Sequence, residues 1–272
     1  MLRFKLKTIF SCLSAISFFA ASSTLASSAT PFTNPENNWQ IRVAPYIWAI
    51  NMNGTVITGS HRVHVNESFS DLLEHLNFAG MIWLDASKND VDLFLNVVYA
   101  VLRNNVTDGP ASFHAKNRFG ITSGGLAYQI YKRCFAYSCY GETSSISISP
   151  YVGFRYTEND TTVNVDVAKL HLQIENNQYW TDPIIGARIN YEISKAWSAI
   201  FAGDIGGTNA SSQYSYNVSA VLGYSPKLIF NNTTFYIGYR LLDQHYTDGN
   251  KAKYFNWDMK LFGPLAGVAV TF

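Results

Sequence analysis

The last eleven residues, FGPLAGVAVTF (262–272), constrain the fold most, because the chain stops on an apolar alternation with no polar tail. Chain ends usually fray into polar residues unless something ties them down. Read with period two, Phe262, Pro264, Ala266, Val268, Val270 and Phe272 share one side, and Leu261, Gly263, Leu265, Gly267, Ala269 and Thr271 share the other. The first face is wholly apolar and the second is mostly small. Such a strand suits a wall with hydrocarbon outside and little room inside. The competing reading is the edge strand of a soluble sandwich.

The other end narrows the choice. MLRFKLKTIFSCLSAISFFAASSTLASSA begins with Arg3, Lys5 and Lys7, continues through an apolar run from Ile9 to Ala21, and ends in small residues. This is the pattern of a secretory signal peptide, residues 1–29, with cleavage expected after Ala26 or Ala29. Its apolar core falls short of the roughly 20 residues a membrane helix needs. Cys12 lies inside that core, which argues against a lipoprotein. Beyond the leader, charged or strongly polar residues interrupt every apolar stretch. The mature chain is therefore an exported soluble β protein or a barrel, since only helices and closed barrels satisfy their backbone in lipid.

Of the 272 residues, 15% are aromatic and 14% charged, with a formal net charge of +1. Soluble domains usually carry about a quarter charged residues. The near-neutral balance argues against a nucleic-acid partner. The many Tyr and Phe fit a membrane–water interface, or an aromatic-rich soluble β protein. Cys134 and Cys139, in YKRCFAYSCYGE, are the two cysteines beyond the leader. In an exported chain they read as a local disulfide.

Strand-like alternation recurs along residues 39–272, with residues 30–38 an unstructured lead-in and no sign of a second domain. In DVDLFLNVVYAVL, Val91, Leu93, Leu95, Val97, Tyr99 and Val101 oppose Asp92, Phe94, Asn96, Val98 and Ala100. SSISISPYVGFRY and QYSYNVSAVLGY repeat the pattern. These runs exceed the modal strand of about 5–6 residues and reach the 9–11 that a tilted membrane strand needs. The segments near 39–51, 54–66, 78–88, 90–103, 112–131, 143–158, 161–174, 178–192, 195–206, 213–225, 229–245 and 255–272 give about twelve strands, an even number as bacterial single-chain barrels require; ten or fourteen also fit. The stretch 161–174 changes phase near Lys169, which a bulge would explain. The fold expected is an all-β, antiparallel, up-and-down transmembrane barrel.

SFSDLLEHLNF departs from this pattern. Phe69, Leu72, Leu73 and Leu76 recur at helical spacing, and Ser68 with Asp71 resembles a capping box. A short helix is expected over 68–76. With both chain ends in the periplasm it falls on the periplasmic side, and the cysteine loop on the extracellular side.

APYIWAINMNGTV, SFSDLLEHLNF, WTDPIIGARINYEISKAWSAIFAGDIGG, YIGYRLLDQHYTDG and FGPLAGVAVTF together resemble a poorly characterised family of Gram-negative outer-membrane β-barrel proteins, across nearly the whole mature chain. The resemblance implies an outer-membrane location. It also implies that Phe272 is the C-terminal aromatic read by the barrel-assembly machinery. It brings no activity with it.

Chemistry-bearing motifs are few. His61 and His64 stand three apart, on opposite faces of a strand, so they do not form a metal pair. GDIGG lacks the Lys and Ser/Thr of a phosphate loop. No Ser/His or Asp/His spacing of a rim hydrolase stands out, and no cofactor or metal is implied. The informative set is the inner face. Arg42, Asp85, Asp92, Arg118, Arg155, Asp182, Arg188, Asp204 and Arg240 are assigned to the lumen, with Tyr46, Trp48, Trp83, Phe94 and Tyr236. A cation on the lipid face at mid-bilayer would cost about 2–4 kcal/mol. The leading reading is a non-enzymatic, porin-like outer-membrane protein in contact with lipid and lipopolysaccharide, with a structural or surface role or limited small-solute passage. Alternatives are a narrow channel for a small polar solute, a lipid- or lipopolysaccharide-modifying enzyme, and a soluble periplasmic barrel holding an apolar ligand.

Overall fold

Alternating sequence this long makes long strands, and here they close on themselves. The computed structural model describes residues 38–108, 111–135, 144–167, 170–207, 212–226, 232–250 and 254–272; the expected signal peptide and nearly all of the expected lead-in lie outside them. The elements are β1 (Gln40–Trp48), β2 (Asn51–Thr58), β3 (His61–Glu67), α1 (Phe69–His75), β4 (Leu76–Lys88), β5 (Val91–Asp108), β6 (Ala111–Tyr128), β7 (Tyr131–Phe135), β8 (Ser144–Val167), β9 (Leu170–Glu192), β10 (Trp197–Gly206), β11 (Ser212–Tyr224), β12 (Thr233–Asp248) and β13 (Phe255–Thr271). All pairings are antiparallel. Ten strands, β1-β4-β5-β6-β8-β9-β10-β11-β12-β13, form a ring that β1 and β13 close; β2, β3 and β7 lie outside it. No helix among the described residues is long and apolar enough to cross a membrane.

Ten strands replace the twelve expected, for two reasons. β1 and β2 are collinear: both run along β13, with Arg42 opposite Thr271 and Thr58 opposite Phe255. The Asn-rich NMNG is therefore mid-strand rather than a turn. Likewise, ENDTT and ENNQ sit inside β8 and β9, which run for 24 and 23 residues. The phase change expected near Lys169 lies outside the described residues, between the end of β8 at Val167 and the start of β9 at Leu170.

The register fixes the shape. Stepping partner to partner from Arg42 through Asp85, Phe94, Gly125, Gly153, Ile184, Gly206, Ser215, Gln244 and Met259 returns to the first line of chain at Gly54, twelve residues higher. Such a stagger tilts strands by about 35–45° and leaves an interior that side chains can fill. Outward positions carry Ile47, Leu93, Leu126, Val152, Ile185, Phe201, Ile205, Val218 and Ile237, all exposed. Tyr128, Tyr191, Trp197, Tyr224 and Phe235 edge this belt toward the chain termini. At its far edge the outward residues turn polar, at Arg118, Glu158 and Asp160 on β6 and β8.

Beyond that edge the wall splits. β9 pairs with β10 only over Ile184–Glu192, yet stays paired with β8 up to Leu170. β3 pairs with β2, and β5 beyond Leu102 pairs with β6 alone. Two lobes result, β5-β6-β8-β9 and β11-β12-β13-β2-β3. α1 sits in the second split, touching β3 and β5. Its capping box is formed: Asp71 N–H donates to Ser68 Oγ (3.3 Å) and Ser68 N–H to Asp71 Oδ2 (2.9 Å). The helix thus lies at the end opposite the termini, not on their side as expected. Counting β1 and β2 as separate antiparallel strands inverts the direction assigned to β4, β5, β6 and the start of β8; the extra strand expected over 161–174 restores it from β9 onward.

Candidate functional site

The inward face is filled in three layers. Nearest the chain termini, Arg42 on β1 faces Asp85 on β4 as a direct cross-strand pair, and its Nε donates to Asp85 Oδ2 at 2.8 Å. Arg188 reaches across from β9: its Nη1 donates to Asp92 Oδ2 (2.6 Å) and lies 3.5 Å from Asp85 Oδ1. Its guanidinium lies over Trp83 and Phe94, 5.3 and 5.7 Å from the ring centroids. These aromatic rings need floor space, which glycines provide. A Cβ on Gly125 would come within 2.3 Å of the Val152 carbonyl and 2.9 Å of Phe94. A cavity of about 20 Å³ near the mouth, bordered by Asp92, Gln129, Ser149 and Arg188, has room for a water and little more.

The middle layer is one hydrogen-bonded chain across the lumen. Arg155 on β8 pairs with Asp204 on β10 and donates to Ser215 Oγ (2.6 Å). Asp204 Oδ2 also accepts from Tyr151 Oη and Asn217 Nδ2, both at 2.9 Å. Asn217 Oδ1 accepts from Arg240 Nε (2.8 Å), and Arg240 Nη1 donates to Asn96 Oδ1 (2.9 Å). Asn96 Nδ2 then donates to Tyr46 Oη (2.8 Å). Arg240 rests over Trp48, 4.7 Å from its centroid. Asn217 links it to Asp204, so two Arg share one Asp, the second through a neutral side chain. Low local dielectric strengthens such a network when its members are satisfied, and penalises any that lose a partner.

The far layer is largely apolar, and also buries Gln244, whose Nε2 donates to Thr157 Oγ1 (3.1 Å). Phe119 stacks on Trp257 (5.9 Å), Trp180 on Tyr246 (4.4 Å), and Trp257 also meets Trp180 (6.0 Å). Met259, Leu261, Leu242 and Phe255 pack around them. Phe119 and Trp180 belong to one lobe, Trp257 and Tyr246 to the other. Strand side chains, not α1, block this end.

Eight of the nine charges assigned to the lumen point inward: Arg42, Asp85, Asp92, Arg155, Asp182, Arg188, Asp204 and Arg240. Arg118 does not. It lies opposite Asp160 on the outward face and is exposed. Its strand contains RFGITSGGLAY, with glycines on both faces, so the pattern sets its phase weakly. With Arg118 outside, these inward positions hold four Arg and four Asp. Asp182 sits higher and accepts from Ser212 N–H (3.0 Å). The sequence reading overlooked Asn96, Tyr151, Ser215 and Asn217. Their signal was an even spacing from Asp92, Arg155 and one another.

Cys134 is exposed on β7, at the same end as the termini and not at the far end expected; Cys139 lies outside the described residues. Phe272 is zipped to Ile41 through both backbone bonds, Phe272 N–H to Ile41 O (2.8 Å) and Ile41 N–H to Phe272 O (3.2 Å). His61 and His64 are both exposed on β3. Among the described residues, no three His, Cys, Asp or Glu side chains converge as metal ligands.

No family model and no curated protein matches the sequence. Similar solved structures include Ail, the attachment invasion locus protein of Yersinia pestis, at 9% identity over 87% of this chain and 100% of that one, TM-score 0.31. The translocator domain of the autotransporter NalP from Neisseria meningitidis shares 11% identity over 88% and 90%, TM-score 0.31. The toluene transporter TodX of Pseudomonas putida shares 9% over 87% and 90%, TM-score 0.27. Identity and superposition are low, and the barrel architecture rests on the strand register itself.

Proposed function

We propose that this chain is an integral outer-membrane β-barrel, non-enzymatic, that acts through its far-end lobes at the cell surface and passes small solutes at most to a limited extent. The observation that carries this reading is the filled lumen: two layers of paired charges and an aromatic layer occupy the interior of a ten-stranded ring. The outward apolar belt and its aromatic edge support the membrane location, as does the leader. In this reading the termini face the periplasm.

The test combines two measurements on the purified protein. Folded and boiled samples should migrate differently on a denaturing gel, and the barrel should show at most a small, weakly selective conductance in planar bilayers. Stable porin-sized openings would overturn the filled lumen; release by salt or carbonate alone would overturn the membrane location. A second reading, a narrow channel for a small polar solute, draws on the polar character of the two layers nearer the termini. Only the aromatic layer separates these from the far end.

A further inference from the structure

The charged residue displaced from the lumen has neighbours. On the outward face Arg103 of β5 lies directly opposite Lys116 of β6, and Arg118, two residues below Lys116, lies opposite Val101. Like charges directly opposed across a pair of strands destabilise it. Among the described residues none of the three lies within ion-pair distance of a carboxylate, although Asp160 stands opposite Arg118 across the strands. Asp160 and Glu158 are near, but Glu158 instead folds over Gly120 and accepts from Tyr156 Oη (3.4 Å). Arg103 and Arg118 are exposed and Lys116 half-buried.

Their height matters as much as their charge. Below them the outward wall turns apolar, at once on β5 and from Tyr156 downward on β8. Tyr99, Val97 and Leu95 on β5 lie opposite Gly120, Thr122 and Gly124 on β6, and on β8 Glu158 and Tyr156 precede Phe154 and Val152 down the same wall. The three cations thus crown the far edge of the belt, where lipid tails give way to headgroups. Arg presents a planar fork matched to phosphate, and Lys a point charge beside it.

We propose that Arg103, Lys116 and Arg118 form a binding site for the phosphorylated headgroup of lipopolysaccharide, whose acyl chains lie down the β5–β6–β8 wall. This rests on the outer-membrane reading, in which the far edge meets the outer leaflet. The bound phosphate supplies counter-charge to the opposed Arg103 and Lys116.

The experiment uses the purified full barrel in detergent, with each sample first checked for heat-modifiable migration. Phosphorylated rough lipopolysaccharide, its dephosphorylated form and phosphatidylglycerol are titrated onto the wild type. They are also titrated onto the combined Arg103→Gln, Lys116→Gln, Arg118→Gln variant and onto Lys260→Gln, which removes an outward cation on a different wall. The wild type should prefer phosphorylated lipopolysaccharide, and the combined variant should bind it at least tenfold more weakly. Dephosphorylation should give a similar loss on the wild type, while Lys260→Gln stays within about twofold. If the combined variant does not fold, Lys116→Gln alone carries the test, since it relieves the like-charge pair. Equal binding by variant and wild type overturns the site. Equal binding of phosphatidylglycerol overturns the choice of ligand. An equal loss in Lys260→Gln reduces the effect to bulk charge and overturns the site as well. Failure of the wild type to show heat-modifiable migration strikes the barrel reading, a separate outcome.

Discussion

Trp180 and Tyr246 lie face to face, ring centroids 4.4 Å apart and planes 6° from parallel, although their strands are not neighbours in the ring. The stack ties the two lobes together across the lumen where the wall itself has split. Aromatic pairs contribute about 0.5–1.5 kcal/mol beyond the area they bury. Backbone pairing holds the barrel closed in the belt; side-chain packing takes over above it.

Arg155 and Asp204 are both buried, and removing one charge strands the other. Arg155→Ala is expected to lower the unfolding free energy by about 3–5 kcal/mol, the usual cost of breaking a buried pair. Adding Asp204→Asn should recover part of that loss, since no bare carboxylate then remains. Urea titration of the folded barrel reads both values. A double variant less stable than the single one would mean that Arg155 acts through packing rather than charge.

Deleting Phe272 removes both backbone bonds to Ile41 and the terminal aromatic. The heat-modifiable form in the membrane fraction should fall further than after deleting one residue of a far-end loop, such as Gly249. Equal levels for the two variants would count against a role of the last residue in assembly.

Cys134 and Cys139 are expected to be oxidised to a disulfide, facing the compartment of the termini. The loop is short, so its stabilisation should be local and modest. Alkylation of the unfolded, unreduced protein should label neither thiol. Labelling of both would rule the bond out.

Much of the wall was legible in the sequence. The phases of β13, of β5 around Asp92 and Asn96, and of β8 around Arg155 follow from strict alternation, because a one-residue slip would turn every side chain to the wrong face. The same alternation is what assigned the charges and aromatics of those strands to the lumen. The helix cap at Ser68 was legible too, since capping is a local hydrogen-bonding pattern.

The strand count, the pairing of charges and the phase of β6 were decided only in three dimensions. Alternation sets which way a residue points, but not where a strand ends: polar runs such as ENDTT look like turns, yet lie in strands that stand clear of the apolar belt. Nor does it say which Asp meets Arg155, because the partner comes from a strand two places round the ring. Glycines on both faces left Arg118 free of the pattern, and the closed register put it outside. Alternation alone dictated a wall with an apolar outside and a polar inside. Closure with a stagger of twelve residues set which layers fill it, because only closure brings distant strands to the same height.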